Sequence, residues 1–322
     1  MNSYFSKVRI YVVLLIVAII VVSKFVSDGL RNNVYFTPEF AFRTISAMRY
    51  KKEFLKSPAA ATTTALSTEL DFKKSVPVLV YHGILENAEL EKSGHGSEGD
   101  GISVKNFKEH MFMLKNQGYT TITSDELGTF LKTGTVLPEK PIMITFDDGR
   151  IDSFKYSDPI LEAVDFEAVM FIIGKFGVME RDQPYYLSTK HIKEMERSGR
   201  WDIQAHSYDG HNSYFTSAET KDGHFFSHKI WLEGENRLES DAQFALRVSN
   251  DLQHIQNTLE KMLDKKIKTF AYPFGDFGQN STNYAQARSV NITEAAKIYD
   301  MVFYQADPNY RYTQNYFNAS QA

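Results

Sequence analysis

The chain has 322 residues and not one cysteine. That absence excludes disulfides and thiolate metal sites, so any metal has to rest on histidine, aspartate or glutamate. An excess of one charge is also missing. The 36 Lys+Arg stand against 40 Asp+Glu, for a formal net charge of -4. Such a balance gives no general attraction to nucleic acid, which is not expected as a partner. No internal repeat is present. Hydrophobic residues make up 43% of the chain, an ordinary share that allows a sizeable core. The length fits one domain of about 200–250 residues with appendages, or two small domains.

One long apolar run stands out, Ile10 to Val22, behind Lys7 and Arg9 and ahead of Lys24. A membrane-spanning helix needs about 20 residues. Counting from Val8 to Val26, with Arg9 and Lys24 reaching to the interfaces, brings the run into range. A cleaved signal peptide is the competing reading, but Ser23-Lys24-Phe25-Val26 offers no small-x-small cleavage site. Residues 1–26 are therefore expected to be a signal anchor, which puts the rest of the chain outside the cytoplasm on a single-pass membrane protein. Residues 27–75 read as an extracellular stalk, because Ser57-Pro58-Ala59-Ala60-Ala61-Thr62-Thr63-Thr64 is of low complexity with little to bury.

From residue 76 the texture changes. Val76 to Tyr81 and Pro141 to Phe146 are short apolar runs suited to buried strands. Val104 to Asn116 carries Phe107, Met111 and Leu114 at helical spacing, with Gly118 just beyond as a stop. Further strands are expected over Thr120–Thr123, Ala168–Ile173, Trp201–Ala205, Thr269–Tyr272 and Met301–Tyr304. Helices are expected over Phe154–Val164, Ser188–Ser198, Asp241–Leu263 and Asn291–Tyr299. Strands alternating with helices indicate an α/β domain on a parallel sheet. About seven strands over residues 76–322 suit a distorted (β/α) barrel better than an open sheet.

In parallel α/β folds, functional groups collect at the C-terminal ends of strands. Four such ends carry unusual residues. Thr145-Phe146-Asp147-Asp148-Gly149 ends an apolar strand on two carboxylates, which burial penalises unless something positive or protonated compensates. Taken alone, Asp-Asp-Gly is also ordinary turn chemistry. His206 ends a second strand, and His211 follows five residues on, past a Tyr-Asp-Gly turn. Two neutral imidazoles across a tight loop can converge on one ion, and with the aspartates they make the Asp-His-His set of a site that leaves coordination positions open. Tyr81-His82-Gly83 ends the first strand. Tyr272-Pro273-Phe274-Gly275 forms a turn able to wall a groove and offer backbone N–H groups. His224 and His228, at i, i+4 spacing, fall between Asn212 and Ser240 among turn-forming residues, and read as a surface insertion at most bordering a groove.

Taken in order and spacing, TFDDG, H-S-x-x-x-H and Tyr-Pro-Phe-Gly resemble the motifs of the polysaccharide deacetylases, carbohydrate esterase family four, over roughly residues 76 to 305. With the opening Val-Leu-Val-Tyr-His strand the chain is most similar to the branch acting on poly-N-acetylglucosamine of biofilm matrix. The resemblance implies that Asp147 is the general base and that Asp148, His206 and His211 bind one divalent ion, zinc first, with cobalt or nickel as alternatives. Members usually carry the acid histidine in a late motif, but no histidine follows His254 here. In the biofilm branch the first strand supplies it, which assigns that role to His82. The resemblance also implies an oxyanion contact from the Phe274 N–H, with Tyr272 beside it at the substrate. The arginine that orients the base in many members is replaced by Ala271. The implied reaction is hydrolytic N-deacetylation of an extracellular polysaccharide, with no synthase partner legible. Peptidoglycan or chitooligosaccharides are the alternative substrates. A tethered glycan-binding protein without catalysis is the alternative class.

Overall fold

A computed structural model describes residues 37–57, 75–86, 101–178, 184–279 and 281–305. The expected anchor, residues 1–26, lies outside them, and no helix among the described residues is long and apolar enough to cross a membrane.

The centre is a curled sheet of seven parallel strands: β1 (Val78–Tyr81), β2 (Thr120–Thr121), β3 (Pro141–Phe146), β4 (Ala168–Ile172), β5 (Trp201–Ala205), β6 (Thr269–Ala271) and β7 (Met301–Phe303). Their spatial order is β1-β3-β4-β5-β6-β7, with β2 pairing the start of β3. Among the described residues no pairing joins β1 to β7, so the sheet curls as an open half-barrel of the (β/α) type. β3 is buried along its whole length and β4 likewise, as expected of parallel strands covered on both faces.

Helices connect and cover the strands: α1 (Pro38–Phe54), α2 (Val104–Asn116), α3 (Ser124–Thr133), α4 (Ile151–Val164), α5 (Thr189–Ser198), α6 (Asp241–Leu263) and α7 (Ala287–Ala295). α2 buries Phe107, Met111 and Leu114, the stripe legible in the sequence. α6 starts with a capping box in which Ser240 and Gln243 satisfy each other's backbone N–H groups. The rings of Phe107, Phe146, Trp201 and Phe154 touch in succession at centroid distances of 5.7, 5.3 and 6.0 Å, joining α2, β3, β5 and α4. Each such ring removed from water contributes on the order of 2–3 kcal/mol.

Two expectations need correction. Part of the expected stalk, residues 38–54, is α1, which starts at a Thr37 cap with Pro38 in its first turn and packs against α4. Its inward face is mixed, with Arg43, Thr44 and Ser46 buried beside Phe40, Ala47 and Tyr50. Arg43 is buried and pairs with Glu39, with Asp158 of α4 and with Glu194 of α5. An apolar stripe interrupted by buried polar residues is weak as a periodic signal. The helix expected at 291–299 is α7, which begins four residues earlier and so takes in Asn291. It sits fully buried inside the helix, its amide donating to the carbonyls of Phe226, Phe277 and Ala287.

Candidate active site

Because every strand of the sheet runs the same way, the residues following β1, β3, β5, β6 and β7 meet at one edge. Backbone ladders continue one step past the strands and fix those residues in register. Asp147 N–H donates to Tyr81 O at 3.0 Å, His206 N–H to Ile172 O at 2.9 Å, and Tyr272 N–H to Phe303 O at 2.9 Å.

The predicted ligand set comes together. One donor atom from each of Asp148, His206 and His211 lies within 4.8 Å of the others. Asp148 Oδ1 is 3.1 Å from His211 Nε2 and 3.5 Å from His206 Nε2. That oxygen is buried with no hydrogen-bond partner, an arrangement that a cation would satisfy and that is costly otherwise. His206 Nδ1 donates to Ala271 O at 2.9 Å. This bond leaves the Nε2 lone pair facing Asp148, as metal-ligating imidazoles require. Ala271, which stands in place of the arginine the resemblance implies, therefore contributes through its carbonyl. Burial alone would raise the Asp148 pKa, but the two imidazoles outweigh it and hold the carboxyl below the usual range. Burial would likewise lower His206, and Asp147 and Asp148 instead hold it above its ordinary value. Cation binding would displace that proton.

The loop carrying both imidazoles is tied on three sides. Ser207 adopts left-handed backbone (φ 68°), and its hydroxyl accepts from Gly210 N–H at 3.0 Å. Buried Asp251 of α6 accepts from Tyr208 N–H at 3.0 Å and Asp209 N–H at 2.8 Å. After β4, Gly174 N–H and Lys175 N–H donate to Ser207 O and Tyr208 O at 2.9 and 2.8 Å. The Tyr208 ring stacks on His254 at 3.6 Å.

Beside the cradle, Asp147 is 97% removed from solvent and His82 remains partly open. His82 Nε2 stands 4.0 Å from Asp147 Oδ2, beyond hydrogen-bond reach. Gln305, just past β7, contacts both.

Phe274 occupies left-handed backbone (φ 58°), a costly conformation for a bulky residue and a mark of functional sites. Gly275 N–H to Tyr272 O and Asp276 N–H to Pro273 O close its turn, bonds in which the Phe274 N–H takes no part. The Phe274 ring contacts His211 at 4.3 Å, tilted by 41°, and stacks nearly parallel on His224 at 4.4 Å and 16°. Tyr272 does not fit the substrate role expected of it. It is only 2% exposed, its hydroxyl donates to Asn291 O and its N–H is consumed by β7. It packs the floor of the turn.

The segment around His224 and His228, read as a surface insertion at most bordering a groove, reaches the site at the Phe274 ring. His224 Nδ1 meets Asp276 Oδ2 at 2.8 Å, and Ser227 donates to the same oxygen at 2.7 Å. Burial would raise the Asp276 pKa, and these two bonds hold it down. His228 Nδ1 turns to Ser227 instead, so the two imidazoles do not converge on an ion. Asp251, Gln305 and His224 were not selected from the sequence. Of these only His224 carried a signal, being one of a spaced histidine pair.

Comparison with known proteins bears on this arrangement. The family model described as polysaccharide deacetylase matches residues 135–293. Poly-beta-1,6-N-acetyl-D-glucosamine N-deacetylase of Escherichia coli (strain K12) is 24% identical over 208 residues, covering 61% of this chain and 30% of that protein. The protein of the same name from Staphylococcus aureus (strain MRSA252) is 26% identical over 175 residues, 54% of this chain and 53% of that one. The chain thus spans less than two thirds of either relative. Among solved structures, a de-N-acetylase from Aggregatibacter actinomycetemcomitans superposes with a TM-score of 0.58 at 21% identity, over 70% of this chain and 85% of that one, a likeness of fold.

Proposed function

From the premise that this chain carries a polysaccharide deacetylase domain, we propose that it is a metal-dependent hydrolase removing acetyl groups from poly-β-1,6-N-acetyl-D-glucosamine. It would work on the outer side of the cell membrane, held there by residues 1–26. The observation that carries the reading is the buried, unpartnered Asp148 Oδ1 between two imidazole Nε2 atoms, with a second carboxylate next to it in the chain.

Asp148, His206 and His211 would hold one divalent ion, for which zinc suits two nitrogens and an oxygen with positions left open. Such an ion, when bound, supplies Lewis-acid polarisation of the acetamide carbonyl and of the attacking water. The chain's own residues do the rest. Asp147 accepts a proton from the water as its oxygen bonds to the carbonyl carbon. The Phe274 N–H donates to the developing oxyanion, a contact worth on the order of 3 kcal/mol in comparable sites. His82 delivers a proton to the nitrogen as the C–N bond breaks, releasing acetate and a free amine. General acid–base steps of this kind contribute about 10²–10⁴-fold each.

The test is acetate release by the detergent-solubilised full chain from poly-β-1,6-N-acetyl-D-glucosamine, peptidoglycan and chitooligosaccharides, before and after chelation. Release from the first polymer, abolished by chelator and restored by Zn²⁺, is the expected result. Preference for another polymer would overturn the substrate assignment. Release from none would return the chain to glycan binding alone.

A further inference from the structure

We propose that Gln305 is a positioning residue that aligns Asp147 and His82 with each other, an inference that rests on the deacetylase reading of those two groups. Its Nε2 lies 3.1 Å from Asp147 Oδ2 and 3.2 Å from His82 Nε2. The two groups it joins are 4.0 Å apart and make no bond of their own. A planar amide nitrogen carries two hydrogens that diverge, so one Nε2 serves the Asp147 carboxylate and, while His82 is neutral, the lone pair of its Nε2. The bridge is neutral. It fixes the carboxylate and imidazole in relative position without the charge that an arginine would bring against Asp147.

The placement of Gln305 is itself determined. The β6–β7 ladder runs from Thr269 opposite Met301 to Ala271 opposite Phe303, and Tyr272 N–H still bonds Phe303 O. Gln305 therefore arrives level with the Pro273–Gly275 turn. Gly275 lets it close in, because a Cβ there would sit 2.6 Å from both the Cβ and the backbone nitrogen of Gln305. The glycine also has φ 60°, which other residues adopt at a cost. The turn that aims Phe274 and the side chain that spans base and acid are one packed unit. His82 is set from below as well, since Ser153 donates to its carbonyl oxygen.

The experiment uses full-length wild type, Gln305→Ala and Gln305→Glu. Glutamate keeps the volume and lacks the donor, so it stays decisive if the alanine variant folds poorly. Three quantities are read: kcat and KM for acetate release, zinc affinity by chelator competition, and the ¹⁵N shifts of the His82 ring in the metal-free protein. Misplacing reacting groups by about an ångström costs up to about a hundredfold, so both variants should lose roughly tenfold to a hundredfold in kcat while KM stays within about threefold. Zinc affinity should not change, and the His82 ring signals should move while those of His206 do not. A kcat within about twofold of wild type, a parallel loss of zinc affinity, or unmoved His82 signals would each overturn the assignment. If wild type itself releases no acetate, the functional reading fails, and the His82 signals still decide whether Gln305 holds that ring.

Discussion

The site has two walls that meet where the His211 and Phe274 rings touch at 4.3 Å, and they are built on different physics. The His206–His211 loop is held by directional bonds: Asp251 takes two of its N–H groups, Ser207 turns back on Gly210, and the strand-end residues Gly174 and Lys175 hold its carbonyls. The Pro273–Gly275 turn holds a strained Phe274 that stacks on His224, and that imidazole is anchored by Asp276. Hydrogen bonds fix distance and direction, whereas ring stacking fixes a plane and tolerates sliding. The loop is thus suited to fixing an ion, and the turn to adjusting a donor as charge develops. Changes in the loop should appear as lost metal, changes in the turn as lost turnover at full metal occupancy.

The largest expected effect is on the cradle itself. Asp148→Ala or His206→Ala should reduce zinc affinity by more than about a hundredfold, beyond the range seen for outer-shell partners, as read by chelator competition. Asp251→Ala, which frees two loop amides without touching a ligand, should cost about tenfold to a hundredfold in the same assay. An unchanged affinity would break the claim that these bonds fix the loop. His224→Ala removes the ring stacked on Phe274. At roughly 0.5–1.5 kcal/mol for a ring pair, kcat should fall about twofold to thirteenfold with zinc affinity unmoved. Loss of metal in that variant would erase the contrast between the walls.

A separate effect, read in stability and not in turnover, is a pH dependence in the loop's anchor. Burial pushes the Asp251 carboxyl up to about 6, against opposing bonds from the Asp209 and Tyr208 amides. Between the ordinary carboxylate range and about 6 the folded chain keeps a proton that the unfolded chain has released. Stability from this group therefore falls as pH rises through that window and is level above it. The unfolding free energy of metal-free wild type minus that of Asp251→Asn should drop by an amount on the order of 2 kcal/mol from about pH 4 to about pH 7. A flat difference would mean that the carboxyl titrates normally.

What the sequence made legible follows the same division. Alternation of buried strands with α2 and α6, and the convergence of Asp147, Asp148, His206 and His211, could be read because apolar periodicity and metal-ligand chemistry both leave marks in residue type and spacing. α1 could not, since Arg43 with its carboxylates, Thr44 and Ser46 interrupt the apolar residues Phe40, Ala47 and Tyr50 on its inward face. Asp251 on a helix looks like any solvated acid until the loop is folded onto it. Gln305 belongs to no motif, because a bridging amide is defined only by what two distant strands bring beside it. Tyr272 shows the converse error: an aromatic in a turn motif whose ring and N–H are both spent on packing.

The central claim is that one ion sits on Asp148, His206 and His211. Anomalous diffraction at the zinc edge from crystals of the zinc-loaded full chain tests it directly. The account predicts a single strong peak within bonding distance of one Asp148 oxygen and the Nε2 atoms of His206 and His211, with Asp147 adjacent and unligated. A peak elsewhere, or one that keeps its place when Asp148 is replaced by alanine, would contradict it.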